Sequence, residues 1–225
     1  MKNIYFMPGM AANCQIFENI KLDETKYAFH YIEWLEPLMN ESLEEYTLRI
    51  CKEIKHENPI LIGVSFGGII VQEIAKRIKT EKVIIISSVK DPSEFPKRIK
   101  WAKKFKLYHF FPTTYVTTIE NLSKKIVSSK KIHHRIDMYR KYLTMRSKNY
   151  LDWAFKNIIL WENKNPLKNV FHLHGGKDHI FPVERIQNAE ILEGGTHVMV
   201  LVNARWINKK LNEILEKEKY EKENL

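Results

Sequence analysis

Gly63-Val64-Ser65-Phe66-Gly67 sets a serine between two glycines, with the apolar run Ile60 to Val64 before it and a helix-period stretch after it. A hydroxyl in such a strand-to-helix turn is lifted above the sheet, and small residues two positions away let the tight turn form. A serine hydroxyl is a weak nucleophile until a base takes its proton, and that base needs a carboxylate to hold it and balance its charge. Both partner types follow further along the chain. Asp178 closes His174-Gly175-Gly176-Lys177-Asp178, just past the segment Asn169 to Leu173. His197 closes Gly194-Gly195-Thr196-His197, just past Glu190 to Leu192. With those segments as strands, all three residues fall at carboxyl ends of strands, where open α/β sheets build their sites. The chemistry open to this trio is nucleophilic acyl transfer, with Ser65 attacking, His197 as base and Asp178 as its carboxylate.

The elements that must position them are legible in the hydrophobic periodicity. Short apolar runs alternate with helix-period segments over the first 90 residues, the pattern of βαβ units feeding a parallel sheet. Ile4 to Met7 reads as a strand ending in the Pro8-Gly9 turn, and Tyr27 to Trp34 as a second. Ser42 with Glu45 forms a capping box for a helix whose stripe is Leu43, Tyr46, Ile50 and Ile54. Gly67 to Lys79 reads as a buried helix, Val83 to Ser87 as the next strand, and Leu201 to Lys217 as a closing helix. Residues 88–160 break the pattern, with no convincing strand and with basic amphipathic stretches at Lys97 to Lys106 and His133 to Tyr142. They are expected as a helical insertion between the two parts of one core, 1–87 and 161–225.

These motifs resemble the α/β-hydrolase superfamily, whose nucleophile, acid and histidine follow that order along the chain. The resemblance spans nearly the whole chain. It implies a mostly parallel central sheet flanked by helices, a helical cap where residues 88–160 sit, and an acyl-enzyme formed on Ser65 by a carboxylic ester or thioester. It also implies an oxyanion hole from the backbone N–H groups of Phe66 and Met10. Many members carry His-Gly in the turn that here reads Pro8-Gly9. Antiparallel strands often open that fold, and none is expected ahead of Ile4 to Met7. Some members take their carboxylate from the end of the strand after the nucleophile helix, which makes Asp91 the alternative acid. A serine at position 65 points away from halide and epoxide chemistry, where the resemblance would call for an aspartate. The competing reading is a ligand-binding or interaction protein that keeps the fold with a weak site.

Composition limits the partners. The chain has 225 residues, 44% of them hydrophobic, which suits one core with an insertion. Its apolar runs fall short of the roughly 20 residues of a membrane span. The start, Met1 to Met7, lacks the long apolar stretch of a secretory signal, so the cytoplasm is the expected address. Cys14 and Cys51 have no Cys-x-x-Cys spacing and are expected as free thiols. His172 and His174 alternate on a strand without a third ligand at suitable spacing, so packing is expected there and no metal or other cofactor is called for. The net charge of +10 is concentrated: residues 88–150 hold 16 Lys and Arg against 4 Asp and Glu. That excess is either solvated decoration or a field drawing anionic small-molecule acyl substrates or an anionic lipid surface. No nucleic-acid motif accompanies it. Trp101, Phe105, Phe110, Phe111 and Tyr115 either line a substrate pocket or form a small core within the insertion.

Overall fold

The protein is described here by a computed structural model covering residues 1–106 and 141–217. Six strands form one sheet: β1 (Lys2–Met7), β2 (Tyr27–Tyr31), β3 (Ile60–Val64), β4 (Lys82–Ile86), β5 (Phe171–Gly175) and β6 (Glu190–Leu192). Their order is β2-β1-β3-β4-β5-β6, and every pairing is parallel. The α-helices lying wholly within the described residues are α1 (Leu43–Cys51), α2 (Phe66–Ala75), α3 (Lys97–Lys104), α4 (Lys148–Leu160), α5 (Met199–Val202) and α6 (Ala204–Glu216).

The central strands β3 and β4 are apolar apart from Lys82, because both of their faces are covered. Alternation along β3 and β4 sends Ile60, Ile62, Val64, Ile84 and Ile86 into the layer with α5 and α6. Leu61, Val83 and Ile85 point into the layer with α1, α2 and α4. The capping box forms as the local chemistry requires: Glu45 N–H donates to Ser42 Oγ at 3.2 Å, and Ser42 N–H to Glu45 Oε2 at 2.9 Å.

Several boundaries differ from the sequence expectation. The strand expected at Asn169 to Leu173 runs from Phe171 to Gly175, since its ladder to β6 uses His174 and Gly175 as well as Leu173. The closing helix is broken at Asn203, whose φ of −124° and ψ of 33° leave helical geometry and divide α5 from α6. Phe110, Phe111, Tyr115 and His133-His134 lie outside the described residues, as does most of the stretch His133 to Tyr142. The parts of 88–160 that are described behave in two ways. Helix α3 has no fully buried side chain, and Trp101 and Phe105 are 63% and 60% exposed. Helix α4 instead docks on the core. Its Trp153 ring packs 4.2 Å from Tyr46, and Tyr150 packs 5.3 Å from Trp34. Trp153 Nε1 donates to Glu41 O at 2.8 Å. Removing an aromatic packed this way costs about 3–5 kcal/mol. No helix among the described residues is long and apolar enough to cross a membrane.

Candidate active site

Ser65 joins β3 to α2 with φ 52° and ψ −119°, a conformation that costs a non-glycine residue on the order of 1–3 kcal/mol. Its surroundings enforce it. Ser65 N–H donates to Ile86 O at 2.9 Å, while the Ser65 carbonyl accepts from Gly68 N–H at 2.9 Å and from Ser88 Oγ at 2.7 Å. The turn is so close that a Cβ at Gly63 would lie 2.3 Å from the Gly67 carbonyl oxygen, and one at Gly67 would lie 2.3 Å from that of Pro8. This is the physical reason for small residues on both sides of the serine.

Asp178 lies three residues past β5, its side chain fully buried. Oδ1 accepts from the N–H groups of Ile180 at 2.7 Å and Phe181 at 3.0 Å. Oδ2 faces His197 Nδ1 at 2.8 Å, and His197 Nε2 lies 2.9 Å from Ser65 Oγ. The acid and histidine loops are stitched together: Lys177 N–H donates to Gly195 O at 2.8 Å, and a Cβ at Gly175 would meet that same oxygen at 2.4 Å. Burial works to raise the Asp178 pKa, but the hydrogen bond and charge of His197 and the Phe181 N–H together hold it below the usual carboxylate range. An ionised carboxylate only accepts, so His197 Nδ1 carries the proton and Nε2 presents its lone pair to the Ser65 hydroxyl.

The structure therefore brings Ser65, His197 and Asp178 together. Asp91 has a different engagement, its Oδ1 accepting from Ser93 N–H at 2.8 Å as the N-cap of the turn Pro92–Glu94. Phe66 is the first residue of α2, and a first-turn N–H has no acceptor within its own helix. The turn bearing Met10 adjoins the serine, since a Cβ at Gly9 would lie 3.4 Å from Ser65 Cβ. That turn is pinned by residues the sequence reading did not single out. Trp34 Nε1 donates to Gly9 O at 2.9 Å, and Ala11 N–H donates to Tyr150 Oη at 3.2 Å. Ser88 and Phe181 were equally silent, except that Phe181 sits three residues after the acid, where an Asx turn would bind it.

His172 and His174 are both buried and meet each other at 3.2 Å. Among the described residues, no group of three or more His, Cys, Asp and Glu is placed to hold a metal. A cavity of about 310 Å³ lies between α3 and α4, lined by Phe95, Ile99, Lys103, Ile159 and Trp161 among others, and none of the three site residues lines it.

No family model matches the chain, and no curated protein does. Solved structures do. A hydrolase from Oleispira antarctica matches at 12% identity over 97% of this chain and 92% of its own, with a TM-score of 0.69. An esterase from Exiguobacterium antarcticum matches at 14% over 96% and 92%, with a TM-score of 0.68. An inhibitor-bound epoxide hydrolase from Bacillus megaterium matches at 14% over 96% and 94%, with a TM-score of 0.66. Identities this low carry the fold, and one fold hosts several chemistries, so the reaction must be argued from the site.

Proposed function

We propose that this chain, which carries the α/β-hydrolase fold, is a serine hydrolase that cleaves a small-molecule carboxylic ester or thioester through an acyl-enzyme on Ser65. The observation that carries this reading is the unbroken line Ser65 Oγ, His197 Nε2, His197 Nδ1, Asp178 Oδ2, with spacings of 2.9 and 2.8 Å across its two hydrogen bonds. His197 takes the Ser65 proton as Oγ attacks the carbonyl carbon, and Asp178 steadies the imidazolium that results. The oxyanion rests on the N–H groups of Phe66 and Met10. Collapse breaks the bond to the leaving alcohol or thiol, which receives the proton from His197. Water then attacks the acyl-enzyme with His197 again as base, releasing the acid and restoring Ser65. None of these steps calls for a metal or other cofactor.

In this reading residues 88–160 form a cap rooted on the core through α4, and their positive charge favours anionic acyl substrates or contact with an anionic surface. The protein works in the cytoplasm, where unpaired Cys14 and Cys51 stay reduced. The test is a panel of acyl esters of graded chain length, run with Ser65→Ala and with a fluorophosphonate probe. Ester turnover and probe labelling, both lost in Ser65→Ala, are expected. A folded protein that neither labels nor turns over any ester would instead be a binding protein on this fold.

A further inference from the structure

Behind Asp178 runs a second line of hydrogen bonds that the acyl-transfer steps do not themselves use. His174 Nε2 lies 2.8 Å from the Phe181 carbonyl oxygen, and His174 Nδ1 lies 3.2 Å from His172 Nε2. A carbonyl only accepts, so His174 carries its proton on Nε2 and accepts at Nδ1, which makes His172 the donor through its own Nε2. Burial pushes both imidazoles below their usual pKa, His172 well below it, with the neighbouring histidine and Lys90 adding to the shift of His172. Both rings are therefore neutral, and the two hydrogen bonds together fix which way the His174 ring faces.

Phe181, held by its carbonyl, touches both partners of the serine. Its N–H donates to Asp178 Oδ1 at 3.0 Å, and its ring meets the His197 ring at 5.6 Å and 67°. His174 Nε2 lies 3.6 Å from Asp178 Oδ2, beyond hydrogen-bond reach, so the link runs through Phe181. We infer that His174 is a positioning residue: by gripping the Phe181 carbonyl it sets the Asp178 carboxylate and the His197 ring in line with Ser65. The inference rests on the proposed roles of those three residues. A histidine that only filled space would leave the alignment indifferent to its donor.

The experiment compares His174→Gln with His174→Asn. The glutamine amide reaches about as far as Nε2 and can donate to Phe181, whereas the asparagine amide stops short. The readouts are the melting temperature, the downfield proton NMR signal of the His197–Asp178 hydrogen bond, and ester kinetics. His174→Gln is expected to keep the NMR signal and a near-normal kcat. His174→Asn is expected to lose or broaden the signal and to lower kcat about tenfold or more, with KM within about twofold. A normal signal and kcat in His174→Asn would overturn the inference, and so would equal impairment of both variants. The NMR signal needs no substrate, so a wild-type protein that shows it without cleaving any ester would sink the acyl-transfer reading while leaving the positioning role measurable.

Discussion

The Ser88 hydroxyl donates to the Ser65 carbonyl oxygen across 2.7 Å, so the segment leaving β4 clasps the turn that carries Ser65. Helix α2 starts hard against that clasp, since a Cβ at Gly68 would lie 2.4 Å from Ser88 Oγ. Ser88→Ala removes one of two donors to a carbonyl in a strained turn, a loss of about 1 kcal/mol. A fall in Tm of about 2–4 °C is expected for a chain of this size. A severalfold drop in kcat should accompany it, as Ser65 gains room to relax. Calorimetry and ester kinetics on the one variant check both, and an unchanged Tm would make the clasp idle.

Asp178→Asn is expected to lower kcat by roughly 10⁴, because an amide allows the wrong histidine tautomer while preserving the packing. Asp91→Asn should leave kcat alone, since asparagine can still accept from Ser93 N–H, and should change stability by only a few tenths of a kcal/mol. Parallel kinetics on the two variants decide between them. The opposite pattern would move the acid to the end of β4.

The buried histidines predict an acid-sensitive fold. Burial first, then the neighbouring His174 and Lys90, place His172 well below the usual imidazole pKa in the native state. The unfolded chain therefore binds more protons than the native one as pH falls below about 6.5, and stability is lost in that direction. The loss is about 1.4 kcal/mol per pH unit for a fully shifted histidine. Asp178 is lowered as well, so it too loses stability toward acid, but only as pH falls to about 4 and below. His172→Gln keeps a donor toward His174 and removes one titrating group. Its Tm should decline less steeply between pH 7 and pH 5, though not become flat, because His174 and His30 are lowered too. An unaltered slope would mean that His172 takes up its proton without unfolding.

The basic segment gives a salt test. If its field draws substrate, kcat/KM for a negatively charged ester should fall as salt rises past the level where screening reaches about 8 Å. A neutral ester of equal size should barely respond. Equal responses would leave the lysines as solvated decoration.

Local chemistry was the part of the fold most open to reading from sequence. The Ser42–Glu45 box and the strand Ile60–Val64 appear at the expected residues, because capping and two-sided burial act within a few positions. The meeting of Ser65, His197 and Asp178 followed from a shared placement at the carboxyl ends of parallel strands. What escaped depended on distant partners. The shift of β5 to include His174 and Gly175 reflects its pairing with β6, which hydrophobicity alone does not reveal. Tyr150 and Ala11 are 139 residues apart, and no spacing in either segment announces that one pins the other.

That last contact dictates an order of assembly. The strands β1 to β4 all leave the ribosome before α4 exists, yet Trp34, Tyr46 and Phe66 are covered by Tyr150 and Trp153. Closing a loop of more than a hundred residues carries an entropy cost that local contacts cannot defray in advance. A nascent chain stopped short of residue 150 thus exposes an apolar aromatic face, a ready target for chaperones. The turn that sets Gly9 beside Ser65 acquires its Tyr150 anchor only when α4 docks, so the surroundings of Ser65 are completed late, after most of the sheet is built.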